Sequence, residues 1–395
     1  MKTMTINGPT GLICLTLVIA VLTGSSLAYP PDPDNAALLY YQAFLMYPQP
    51  DDATRDMVGK LATGKMAPNE QIKQYVQKCR TAVDYATAAA DMQHCNWGLR
   101  YSKGFSASFP HLAQARDLSR LIIAEARILA AQGTYRQALD RCLTVLKISQ
   151  HIGDETIISF LVSRAVGGMA NNCITDILGN MPADLQTLTW LKSQLAQMPT
   201  RVLSVKAALK TEKETALQSM HLESMDLLMQ ALELGTHKDA ALKQIAELGG
   251  EAFLEKSRDY YAKYMDSLQT TLDSAMPYAR MYEELKKLSD RPGKDAVENP
   301  GATLTAAVAP AFSKVYGNEV RAKTHSNAVK AAVEIYILKA KTGKLPDGLP
   351  AGSPKDLFSG QDFGYEKKSG GFVLHCLGRD LDKNETHSYE FGVSK

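Results

Sequence analysis

Asp380-Leu-Asp382-Lys-Asn384 sets three oxygen-bearing side chains at alternate positions near the C-terminus. Calcium takes six to eight oxygens, and a loop with this spacing wraps one ion. Glu385 stands where a loop of the EF-hand type needs glycine. A solvated polar turn is the competing reading. Asp380, Asp382 and Asn384 are thus the candidate metal ligands. Calcium is the one cofactor considered.

The remaining chemistry-bearing residues give weaker patterns. Asp91, His94, Cys95 and His111 could seed a zinc site, but Cys-x-x-Cys and His-Glu-x-x-His are both missing. Glu212, Glu214, His221 and Glu223 lie on one helical segment without the Glu-x-x-His pair of a carboxylate metal bundle, and read as a solvated charged face. No Gly-x-Ser-x-Gly elbow, phosphate loop or dinucleotide fingerprint occurs. No catalytic residue is assigned, although a triad that meets only in space would leave no such motif. Trp97, Tyr101, Phe105 and Phe109 share an irregular stretch between two helices. Aromatics there suit contact with a peptide or sugar, or equally a plug in the core. Trp97, Tyr101 and Phe105 are the candidate binding residues.

The elements that position these groups are mostly helical. Asn35 can cap a helix over 36–46, and Pro68-Asn69-Glu70 opens one from Gln71 to Met92. Helices are expected over 111–132, 136–150 and 155–178, the last closed by Gly179, and over 185–198 behind Asp184. Ala126, Gly133, Tyr135, Ala138 and Leu139 match one tetratricopeptide hairpin, without a clean 34-residue period. Residues 203–288 are helical and charge-rich. Arg291-Pro-Gly293 through Asn299-Pro-Gly301 reads as a linker. A helix from Phe312 to Lys341 ends at Gly343, and Ser369-Gly370-Gly371 turns a hairpin. Phe363 and Tyr365, Phe372, Leu374 and Cys376, and Tyr389, Phe391 and Val393 alternate with period two. The expected fold is mainly α. A multi-helix antiparallel domain with a tetratricopeptide-like hairpin precedes a small α+β module with a three-stranded antiparallel sheet. The expected divisions are 1–28 as signal peptide, 29–290 as helical domain, 291–302 as linker and 303–395 as long helix plus β module.

Lys2, the apolar run Leu12–Leu22 and Ser26-Leu27-Ala28 form a secretory signal with cleavage before Tyr29. No second segment reads as a membrane span. A formal net charge of +2 gives no electrostatic case for nucleic acid. Cys79, Cys95, Cys142, Cys173 and Cys376 follow the signal. Folding the chain symmetrically at Gly153-Asp154 separates Cys142 from Cys173 by roughly 15 Å, beyond bridging range. Most of these cysteines therefore read as buried apolar residues.

The segment 320–393 resembles the C-terminal half of the major pseudopilin of type II secretion. A long helix, a Gly-x-x-Pro exit, a hairpin and a polar loop occur in the same order. Pro354, Asp356, Gly360, Tyr365, Phe372, Leu374, Gly378 and Asp380 hold the matching positions. It is also similar to secreted bacterial families that carry such a module behind a helical domain. The resemblance implies the fold of the tail, a bacterial envelope setting and calcium in the loop at Asp380. Residues 1–28 lack a prepilin leader, so it does not imply assembly into a pilus.

These readings point to an exported protein, periplasmic or extracellular, that acts as a non-enzymatic helical scaffold or binds a protein or peptide. Nucleic acid and a stable membrane span after signal cleavage are not expected. Two alternatives stand beside this: a periplasmic hydrolase with its site between the helical domain and the module, and a self-assembling structural envelope protein.

Overall fold

The computed structural model describes residues 32–153, 156–198, 204–233 and 238–393. The expected signal peptide lies outside the described residues, as do Asp154 and the side chain of Phe105.

The first helices are α1 (Ala36–Met46), α2 (Asp52–Ala62), α3 (Glu70–Lys78) and α4 (Arg80–Ala90). Asn35, Asp51 and Asn69 each accept a backbone N–H from the first turn that follows, which fixes where three of them start. The single helix expected over 71–92 is broken at Cys79, which has ψ of 3° and ends α3 while opening α4. A 3₁₀ turn (Tyr101–Ser106) leads to α5 (Pro110–Ala131), α6 (Tyr135–Ile152), α7 (Ile157–Asn180) and α8 (Leu185–Gln197). Gly179 does not close α7. It lies inside the helix, where a Cβ would come within 3.3 Å of the Gly392 nitrogen, and the cap is Met181. By length and composition α7 could cross a membrane, which the sequence reading missed. Here it packs against α5, α6 and the C-terminal module.

The middle of the chain forms α9 (Val205–Ser219), α10 (Met225–Glu233), α11 (Lys238–Leu248), α12 (Gly250–Asp273), α13 (Tyr278–Asp295) and α14 (Pro300–Val308). Residues 291–302 are therefore not an extended linker. Arg291–Asp295 continues α13 through Pro292, and Asn299 caps α14 by accepting the Gly301 N–H. Tyr260 donates to Asp295 at 2.7 Å, so this segment is held against α12.

The last helix, α15 (Phe312–Thr342), ends at Gly343, whose φ of +76° is the left-handed conformation that favours glycine. Strands β1 (Gly364–Lys368), β2 (Gly371–His375) and β3 (Ser388–Gly392) form an antiparallel sheet in that order. Tyr365 faces Leu374, and His375 faces both Gly364 and Ser388. Phe372 and Phe391 stack at 5.2 Å on the buried face, with Tyr336 of α15 at 5.4 Å from Phe372.

Two apolar cores result. One joins α1–α8, the later part of α15 and the sheet. The other joins the start of α7, α9–α14 and the start of α15 through Phe312 and Val315. The C-terminal module thus shares its core with the first helices, while the middle helices form the second body. Helix α15 threads both.

Candidate functional site

The loop after β2 is built around Asp380, which is fully buried. One carboxylate oxygen, Oδ2, accepts from Arg321 Nε at 2.7 Å and lies 2.8 Å from His387 Nε2. The other, Oδ1, accepts from the Tyr278 hydroxyl at 3.3 Å and from the backbone N–H groups of Asp382 and Lys383. Burial pushes this carboxyl's pKa up, but the hydrogen bonds from Arg321 and His387 outweigh it and leave the pKa below the ordinary value. Asp382 accepts from Arg321 Nη2 at 2.8 Å. Asn384 takes the turn position with φ of +58°, and its carbonyl accepts from Arg379. Two of the three residues offered to calcium therefore converge on a guanidinium that already supplies positive charge. No cluster of three metal-ligating side chains occurs among the described residues.

Within the aromatic stretch, Trp97 plugs the core. Trp97 is 5% exposed, stacks on His111 at 4.4 Å and Tyr40 at 5.3 Å, and donates its indole N–H to the His151 carbonyl at 2.8 Å. Its proposed companion Tyr101 opens the 3₁₀ turn and is half-buried. Asp91 pairs with Lys147 at 2.6 Å. Glu214, His221 and Glu223 are exposed as expected, but Glu212 turns partly inward and burial raises its pKa.

The cleft that best combines shape and chemistry lies where the module meets the helices. It encloses about 380 Å³ between the end of α2, α5, α7, α15 and β3. Such a volume falls in the range of small-molecule sites. On one wall Arg127 donates through Nη2 to Asp176 at 2.6 Å and through Nε to the Ala62 carbonyl at 3.1 Å. That carbonyl closes α2, where a cation is favoured. Asn172, Thr175, Thr63 and Ser388 add hydrogen-bonding groups. The opposite wall is His325, stacked on Tyr389 with ring centroids 5.1 Å apart and planes 5° apart. Burial, then the neighbouring His387, lowers the His325 pKa from 6.5 to about 4, so the ring is neutral at neutral pH. Neither ring nitrogen meets a hydrogen-bond partner among the described residues. A larger groove of about 800 Å³ lies between α9 and α12, but its floor is apolar and its Lys206 and Lys213 pair with Asp273 and Asp266.

At the rim of the cleft the sheet carries a second arrangement. Ser388 Oγ lies 2.9 Å from His375 Nδ1, and His375 Nε2 lies 2.9 Å from Glu366 Oε2. Glu366 and Ser388 are exposed and His375 is half-buried. Sequence reasoning named none of these residues as site candidates. The cleft draws on positions from Ala62 to Glu390, so no local motif could mark it.

Comparison with known proteins finds no family model, no curated protein and no solved structure that matches this chain.

Proposed function

We propose that this chain is an exported envelope protein with a non-catalytic binding role, and that the cleft at His325 is its ligand seat. The observation that carries the reading is His325 itself, a neutral, half-buried imidazole with no hydrogen-bond partner among the described residues, lining a cleft of about 380 Å³ together with the Arg127–Asp176 pair. A neutral imidazole open to the cleft offers one donor and one acceptor that a polar ligand can engage. The mixed lining of hydroxyls, an amide and both charge signs suits a small polar molecule such as a free amino acid, an amino sugar or a short peptide end. The exported setting rests on Lys2, the Leu12–Leu22 run and Ser26-Leu27-Ala28. Resemblance of the tail to the major pseudopilin supports a bacterial envelope. Thermal melting of the mature protein against amino acids, hexoses, amino sugars and di- and tripeptides tests the reading. At least one compound should raise the melting temperature, and His325→Asn should remove that rise.

A second reading, hydrolase, is favoured by Ser388–His375–Glu366 alone. A base within hydrogen-bond reach of a hydroxyl, itself oriented by a carboxylate, is the arrangement of an activated serine. Covalent labelling of Ser388 by a fluorophosphonate, lost in His375→Ala, would establish it. The binding reading predicts no labelling.

A further inference from the structure

The α6–α7 hairpin does not fold symmetrically about Gly153. Ser163 Oγ donates to the Ser149 carbonyl at 2.6 Å, and Gly167 sits against the Ser149 side chain. Ser149 therefore packs opposite 163–167 rather than opposite the residues that a symmetric turn would give. Two helical turns are about seven residues. Seven back from Ser149 is Cys142, and seven on from 163–167 is 170–174, which brackets Cys173. The roughly 15 Å separation expected from a symmetric hairpin is thereby removed. Both are free thiols, fully buried in the same core. Burial first, and the Cys173 sulfur second, push the Cys142 thiol above its ordinary pKa. Arg127 and Asp176, the ion pair of the cleft, act on the same thiol.

We infer that Cys142 and Cys173 are a disulfide-forming pair that ties α6 to α7 behind the wall of the His325 cleft. The inference goes beyond the binding role and borrows from it only the oxidising compartment. With both thiols enclosed in the native state, the bond forms during folding. One thiolate attacks a disulfide donor, such as an oxidised dithiol oxidase, and releases one donor sulfur. The second thiolate attacks the mixed disulfide and releases the other. Two thiols of this chain are oxidised, the donor disulfide is reduced to two thiols, and two protons pass to it. The other cysteines, Cys79, Cys95 and Cys376, are also buried. The packing of α6 on α7 gives them no part in this pair.

The test refolds reduced full-length protein in a glutathione redox buffer, denatures it with iodoacetamide and maps the peptides by mass. The peptides holding Cys142 and Cys173 should appear joined and lighter by two hydrogens, with Cys79, Cys95 and Cys376 alkylated. Protein refolded under reducing conditions should melt about 5 °C lower. Alkylation of both Cys142 and Cys173 in the redox-refolded sample would overturn the inference. A parallel arm exports the chain through its own leader in a bacterial host. Joined peptides there support the pair again. A pair present after refolding but alkylated after export would contradict the exported setting and leave the pair standing.

Discussion

The Nε of Arg321 donates to Oδ2 of Asp380 at 2.7 Å, with the carboxylate fully buried. This contact joins the long helix α15 to the loop that follows β2. Removing one partner from a buried pair leaves the other charge uncompensated. Arg321→Ala should therefore cost about 3–5 kcal/mol, measured by chemical denaturation, and Arg321→Lys should recover part of it. A change under 1 kcal/mol would mean that the pair is solvated.

Calcium should not stabilise the wild-type protein. The Asp380 carboxylate is already shared among Arg321, His387, Tyr278 and two backbone N–H groups, and Asp382 among those that hold Arg321. Calorimetry with millimolar calcium should record no binding heat, and the melting temperature should stay where it is.

Stability should fall as the solution is acidified through the His325 window. The folded-state pKa of about 4 lies below the ordinary 6.5, so the unfolded chain binds the proton more readily. The contribution is full above pH 6.5, declines between 6.5 and 4, and its total is about 3 kcal/mol. Asp380 adds a further loss at lower pH, since its depressed pKa stabilises the fold above the unfolded value and is lost as pH falls through the folded one. Unfolding free energies of wild type and His325→Asn across pH 4–7 should diverge by the histidine contribution alone.

Trp97 fluorescence should be blue-shifted and poorly quenched by iodide, because the indole is enclosed by Tyr40, Phe44 and His111. Trp97→Ala should cost about 3–5 kcal/mol. Red-shifted, readily quenched emission would contradict the plug.

Gly378 should tolerate no side chain. A Cβ there would lie 2.3 Å from the Phe358 carbonyl carbon. The close approach lets Asp356, fully buried, accept the N–H groups of Leu377, Gly378 and Phe358 at 2.9 Å each. Gly378→Ala should lower the melting temperature markedly while Gly370→Ala, in open space, should not.

Where a single residue type dictates local geometry, the structure follows the sequence. Asn35 caps α1, Asp184 caps α8, Gly343 ends α15, and the alternating aromatics around Gly370 form the hairpin. The failures arise where tertiary contacts override a local signal. Proline and glycine at 292–301 suggested a linker, but helix runs through Pro292 to Asp295 and resumes at Pro300, with a turn between and Tyr260 bonded to Asp295. The register of α6 on α7 depends on Ser149, Ser163 and Gly167 meeting across the hairpin, which turn position alone does not specify. The acidic loop was visible as a charge pattern, yet its counter-charge, Arg321, lies 59 positions away in sequence from Asp380. The His325 cleft needs five elements to close around it before any residue acquires a role.

The most direct test of the binding account is the ring resonance of His325 in histidine-labelled mature protein, titrated with amino acids, hexoses, amino sugars and di- and tripeptides. The account predicts that at least one of these shifts the His325 signal in a saturable way, with the shift reduced in Asp176→Asn. A His325 resonance that stays fixed through every titration would contradict it.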